Sequence, residues 1–212
     1  MFTETLFGNT KNALAILGNS HLLDNAYLAG GTACALQLGH RISVDLDFFT
    51  QKEFDSKELI NSLKKIGNFT LEQQSWGTVL GTFEDIRFSI FVYDYPILFP
   101  YKVIFNINIL DLMDISAMKI DAISTRGIKR DFIDLYFMCK EGILLKDALS
   151  FYDQKYGELS SNIVHILKSL VYFIDAEVSE MPKMLKELQW QKVKRFFETE
   201  VRKLEKSFFG II

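Results

Sequence analysis

The sequence predicts an α+β fold, a small sheet with flanking helices followed by an α-helical C-terminal half. Three observations carry this. Apolar spacing gives a helix, strand and helix series up to about Ile66, three strand-like runs divided by turn residues come next, and from Asp111 onward the period is helical and stays so. At 212 residues the chain is long for one average domain and short for two independent ones. The expected division is 1–108 as an α/β core and 109–212 as a helical region packed on it, with the boundary inside Tyr95 to Ile109.

Each element has its own signal. Leu6 to Leu23 carries apolar positions at helical spacing, and Tyr27-Leu28-Ala29 is a short apolar run stopped by Gly30-Gly31, which reads as helix, strand and turn. Thr32 to Leu38 follows as a short helix. Asp45 to Phe49 has strand character, and Asp55 to Ile66 is a helix capped by Asp55 or Ser56. Phe69–Gln74, Thr78–Phe83 and Ile86–Tyr93, separated by Gly77 and by Glu84-Asp85, form an antiparallel meander. The helical half comprises Asp114–Thr125, Asp131–Lys140, Leu145–Tyr152, Leu159–Ile174 and Lys183–Lys206. No repeat or low-complexity tract interrupts it.

Composition narrows the function. Hydrophobic residues make up 49%, with 19 Phe and only 3 Pro, which excludes a disordered chain or a loop-rich scaffold. A formal net charge of -3 supplies no global basic field, so nucleic acid or an anionic membrane would have to be met by a local patch. Cys34 and Cys139 lie far apart and form no C-x-x-C pair, which fits a reducing compartment and small buried apolar residues. Neither a leader-like N-terminus nor an apolar run of about 18 residues is present, so the expected setting is cytoplasmic, with no membrane partner.

The chemistry gathers around Asp45-Leu46-Asp47. Alternation along a strand points Asp45 and Asp47 the same way while Leu46 and Phe48 face the core. Two carboxylates so placed repel each other unless a cation neutralises them, and hard Mg²⁺, which shares its coordination with substrate phosphates, is the natural occupant. Such a pair suits phosphoryl or nucleotidyl transfer. Upstream, Gly30-Gly31-Thr32 stands between strand and helix, where backbone approaches an anion closely and a helix N-terminus offers free N–H groups.

Gly30-Gly31, thirteen residues and then Asp45-x-Asp47 resembles the signature of the DNA polymerase β-like nucleotidyltransferases. The fuller string, Leu28-Ala29-Gly30-Gly31-Thr32-Ala33 through Gly39-His40-Arg41-Ile42-Ser43-Val44-Asp45-Leu46-Asp47-Phe48-Phe49, is similar to the AbiEii/AbiGii toxin branch, to which the MenT-type toxins are also similar. The likeness continues through Lys119, Arg126–Tyr136, Tyr172–Glu177, Pro182, Met184-Leu185 and Trp190, and so covers almost the whole chain. It implies a nucleotidyltransferase-like mixed sheet and a toxin that uses Mg²⁺ and a nucleoside triphosphate to move a nucleotide onto RNA, with tRNA ends as the expected acceptor. A neighbouring antitoxin is the implied protein partner. The resemblance assigns Gly30, Gly31 and Thr32 to the triphosphate, and Asp45 and Asp47 to metal and catalysis.

Lys119, Ala122, Ile123 and Arg126 share one helix face, a solvated surface or a seat for phosphate, and the likeness favours a functional Lys119. Phe132, Leu135, Tyr136 and Cys139 make the apolar stripe of the next helix and leave Asp131 and Asp134 on another side. Asp131 is read either as a cap or ion-pair partner of Arg126 or Arg130, or as a catalytic acid, with Asp134 behind it. Arg41 and Ser43, in the turn before the acids, either touch phosphate or cap the loop. His21, His40 and His165 are scattered without metal spacing. The basic face of Lys183–Lys206 either grips an RNA backbone or solvates the helix. One departure stands out: where many polymerase β-like enzymes carry a third carboxylate on a later strand, this chain aligns Ser89, with Asp85 and Asp94 flanking the strand. A catalytically weak or inactive nucleotide-binding member, acting through protein contacts or on a protein, is the alternative that follows.

Overall fold

The computed structural model describes residues 1–210, which divide into two compact units, Met1–Asp111 and a second beginning at Leu112. The first unit is built on a seven-stranded mixed sheet of order β3-β4-β5-β2-β1-β7-β6. After a 3-10 turn at Thr3–Thr5, its elements are α1 (Gly8–Asn19), β1 (Tyr27–Leu28), α2 (Gly30–Leu38), β2 (Leu46–Thr50), α3 (Ser56–Ile66), β3 (Phe69–Ser75), β4 (Thr78–Phe83), β5 (Ile86–Val92), β6 (Lys102–Ile104) and β7 (Ile107–Ile109). The meander is antiparallel as expected, but β2 joins it parallel to β5 and runs antiparallel to β1, which is what makes the sheet mixed.

Alternation decides which face becomes core. Leu46, Phe48, Val79, Phe83, Phe88 and Leu28 are fully buried on one face, where α1 contributes Leu14 and Leu17 and α3 contributes Leu63. Asp55 caps α3, its carboxylate accepting from the backbone N–H groups of Lys57 and Glu58. The opposite face carries Asp47 and Phe49 from β2, with Phe49 against Tyr27, Phe91 and Tyr93. Core burial on one face therefore leaves the acidic strand's other face available for chemistry.

Two differences from expectation bear on the site. α2 begins at Gly30 itself, so the glycine pair is the first turn of the helix and not a turn before it. Tyr95 to Ile109, read from the sequence as a boundary, contains the β6–β7 hairpin, whose β7 pairs parallel with β1. Its turn residues Phe105 and Asn106 both have positive φ, the conformation of a tight hairpin turn, as do Glu84 and Asp85 between β4 and β5.

The second unit comprises α4 (Leu112–Thr125), α5 (Lys129–Lys140), α6 (Leu145–Tyr156), α7 (Leu159–Ser169), α8 (Ile174–Val178) and α9 (Trp190–Phe209). Fully buried Phe132 of α5 is its aromatic centre, packed against Phe173, Trp190 and Phe197. Lys155 of α6 and Asp114 of α4 form a fully buried ion pair at 2.8 Å. The long C-terminal helix starts at Trp190, so Lys183 and Lys186 lie outside it, and Leu185 is exposed. Val193, Phe197, Val201 and Leu204 form its buried stripe, as the spacing requires.

Candidate active site

The site of the first unit is assembled by two short elements meeting at the sheet's β1–β2 centre. Ala29 donates its N–H to the carbonyl of Asp47 at 2.9 Å, which ties the entrance of α2 to the acidic strand. Gly30 then turns the chain with φ +63°, and a Cβ built there would lie 3.0 Å from Asp47 Oδ2. Any side chain would both strain the backbone and fill the space beside the carboxylate. The first-turn N–H groups of α2 have no intrahelical acceptors and mark the positive end of the helix, so a donor-bearing terminus stands beside an acidic side chain.

Gly31 is small for a different reason. A Cβ there would come within 2.5 Å of the Arg41 guanidinium and 3.2 Å of Ser43 Oγ. Arg41 is almost wholly buried and donates to the Ile42 carbonyl at 3.0 Å. The Thr32 hydroxyl has both Ser43 Oγ and the Asp45 carbonyl as acceptors within reach. These contacts give Arg41, Ser43 and Thr32 a clear job in bracing the loop that delivers Asp45. Asp45 itself stands one residue ahead of β2, half-buried like Asp47.

The strand pairing identifies what faces Asp47. β2 and β5 run parallel with Asp47 opposite Ser89, and the Ser89 hydroxyl donates to Asp47 Oδ1 at 2.6 Å. The aligned position is thus inside the site and carries a hydroxyl where a third carboxylate would stand. Asp85 and Asp94 bracket β5, roughly 13 and 16 Å of extended chain from Ser89 at ~3.3 Å per residue. They are too distant along the strand to substitute.

In the second unit the expected cationic face is already matched by acids. Lys119 Nζ meets Asp131 Oδ1 at 2.9 Å and Asp134 Oδ2 at 2.7 Å, all three groups being buried. Arg126 adds a fork, Nε to Asp131 Oδ2 at 3.0 Å and Nη2 to Oδ1 at 3.1 Å. Burial pushes the Asp131 carboxyl up, but the Lys119 charge, then the bonds and charge of Arg126, outweigh it and hold the group below the usual carboxylate range. Asp131 is therefore paired with both Lys119 and Arg126. Asp134 proves an equal partner, a point missed in the sequence although Asp131 and Asp134 sit at i and i+3 on one helix face. Cys139 offers no nucleophile: burial above all pushes its thiol up to about 12.

The family described as Nucleotidyl transferase AbiEii toxin, Type IV TA system, matches over residues 12–102 and 77–208. An uncharacterized protein of Aquifex aeolicus (strain VF5) is 38% identical over 197 residues, 91% of this chain and 94% of that one. Among solved structures, a candidate nucleotidyltransferase from H. pylori superposes with a TM-score of 0.59 at 18% identity, over 94% of each chain. MenT4, a nucleotidyltransferase toxin from Mycobacterium tuberculosis H37Rv, does so with a TM-score of 0.53 at 13% identity, over 92% of this chain and 86% of that one. At such identities the structures speak for the fold, while the family match spans most of the sequence, and on that extent the chain belongs to the AbiEii nucleotidyl transferase toxin family.

Proposed function

We propose that the protein moves a nucleotide from a nucleoside triphosphate to an RNA acceptor, with tRNA ends as the leading substrate, in a Mg²⁺-dependent reaction that serves as the toxin of a toxin–antitoxin pair. One observation carries the reading: the N-terminus of α2 opens beside Asp47, with Gly30 leaving a Cβ-sized space 3.0 Å from Oδ2. That space and the hard-oxygen donors Asp45 and Asp47 fit a magnesium ion. When bound, Mg²⁺ would neutralise charge on the phosphates being transferred.

The chain's own groups divide the remaining work. Gly30, Gly31 and Thr32 present first-turn amides to the triphosphate, and Arg41 and Ser43 brace that loop. Ser89 orients the Asp47 carboxylate. The acceptor hydroxyl oxygen bonds to the α-phosphorus, the bond to the bridging oxygen breaks and pyrophosphate leaves. The hydroxyl proton is released to solvent as that bond forms, and Ser89, opposite Asp47, carries no carboxylate to take it. Lys119, Arg126 and Asp131 remain candidates for catalysis and nucleotide binding, in a cluster whose two cations are balanced by Asp131 and Asp134. Such substrates belong to a cytoplasmic setting, and among the described residues no helix is long and apolar enough to cross a membrane.

Ser89 also motivates the second reading, a nucleotide-binding member that acts through protein contacts or modifies a protein. Incubation with total RNA, Mg²⁺ and each α-³²P-labelled NTP, beside the Asp45→Asn protein, separates the two. Label in RNA that falls at least a hundredfold in the variant is the expected result. Intact NTP binding with no labelled RNA supports the second reading instead.

A further inference from the structure

The helical unit contains a cleft of about 310 Å³ between the end of α4, α7 and the segment entering α8. Arg126, His165, Lys168, Tyr172 and Asp175 line it, together with hydroxyls from Ser124, Thr125 and Ser169. We propose that this cleft seats one nucleotide of the acceptor RNA, with its phosphate on Arg126 and Lys168 and its base against Tyr172. The inference rests on the RNA-acceptor reading above and names where the acceptor is held.

Arg126 is prepared for such a role. Two of its nitrogens are fixed by the buried Asp131 carboxylate, yet 54% of its side chain is exposed. A guanidinium whose rotamer is already set loses little freedom on meeting a phosphate oxygen, and its planar fork suits that geometry. Lys168 adds a mobile positive charge on the adjoining helix. His165 Nε2 lies 3.1 Å from the Ser124 carbonyl, and a carbonyl only accepts, so Nε2 donates there and the Nδ1 edge is turned away from that contact. Tyr172 is half exposed and offers a ring face of the kind on which any base stacks.

The mixture of groups selects the ligand class. A simple anion would leave Asp175 and the hydroxyl oxygens without a donor, and an apolar ligand would find charged and hydroxyl-bearing walls. A triphosphate would bring more negative charge than Arg126 and Lys168 can balance beside that acid. A single nucleotide residue suits this mixture, with Asp175 and the hydroxyl oxygens as acceptors for ribose O–H and base N–H groups, since the Ser124, Thr125 and Ser169 hydroxyls already donate to helix carbonyls. Its size matches a cleft at the small end of the range for ligand pockets.

The test is binding by the full-length protein of a fluorescein-labelled single-stranded oligoribonucleotide, followed by anisotropy, with an NTP and a mononucleotide as separate arms. Lys168→Ala and Tyr172→Ala are each expected to weaken RNA binding about tenfold, Tyr172→Phe to keep it, and all three to bind NTP as the wild type does. Both positions are exposed, and circular dichroism of each variant checks the fold. RNA affinity unchanged in both alanine variants overturns the inference even where the wild type labels RNA. Loss of NTP binding with RNA binding intact overturns it too, by assigning the cleft to the co-substrate. RNA held through Lys168 and Tyr172 by a protein that transfers nothing would uphold the cleft and sink the transferase reading.

Discussion

Gly30 is the residue on which most depends, because two independent constraints meet there. Its φ of +63° is costly for a side-chain-bearing residue, about 1–2 kcal/mol, and a Cβ would sit 3.0 Å from Asp47 Oδ2. Gly30→Ala should therefore lower stability by about that amount in thermal unfolding, and lower NTP affinity by more than the stability loss explains. Ser89 makes a subtler contribution. Removing its 2.6 Å bond leaves Asp47 without its fixed orientation, and Ser89→Ala should reduce kcat about tenfold while KM for NTP changes little. An unchanged kcat would show that Asp47 needs no such partner. The sequence pointed to Asp47 and the glycines because strand alternation and backbone freedom follow from local residue type, but it placed Asp45 within the strand, whereas β2 begins one residue later, at Leu46. It could not separate the two glycines, since only the folded loop shows Gly30 facing Asp47 and Gly31 facing Arg41.

Among the elements, legibility followed the length and regularity of each pattern. α3 was readable to its cap, and β4 and β5 to their turn, because each has a full apolar period and a polar stop. The β6–β7 hairpin was not, because three-residue strands have almost no period and Phe105-Asn106 lacks the glycine that usually marks such a turn. The α4–α5 pair was readable as two helices, with Asp131 and Arg126 as one of the alternative ion pairs, but the convergence of Lys119 on both Asp131 and Asp134 was not, since which face meets which is decided by packing. That cluster gives a pH-dependent prediction. Asp131 is held below its unfolded value, so its contribution to stability is present above roughly pH 4 and lost as pH falls through its lower native value. Asp131→Asn, which leaves the Lys119 ammonium with one fewer buried partner, should cost about 3 kcal/mol at pH 7. The gap from wild type should shrink as the pH approaches 3. Urea unfolding followed by Trp190, which packs on Phe132 of the same helix, measures both. A gap that stays constant with pH would mean that Asp131 does not titrate with folding.

For the whole molecule the decisive fact is the net charge of -3, which denies the protein any general attraction for RNA. Two local sources of positive charge then compete. α9 carries Lys192, Lys194, Arg195, Arg202, Lys203 and Lys206, but Lys194 is paired with Glu177 and Lys203 with Glu200, and Glu198 and Glu205 interrupt the rest. That arrangement solvates a helix more readily than it grips a backbone. The cleft offers only Arg126 and Lys168. Counterion release turns the difference into a measurement, since a single strand contributes a slope of about -0.7 per neutralised phosphate to log Kobs against log salt. Binding through the cleft, with one phosphate shared by Arg126 and Lys168, predicts a slope of about -0.7, whereas engagement of all six α9 cations with six phosphates predicts roughly -4. A titration of a short single-stranded RNA across salt concentrations reads the slope directly. The shallow value, with Lys168→Ala weakening binding about tenfold, would mean that recognition is carried by one well-fitted nucleotide and that the acidic surface rejects RNA bound in any other way. The steep value, insensitive to Lys168, would move the acceptor to α9 and make its outward cations the selected feature of the C-terminal half.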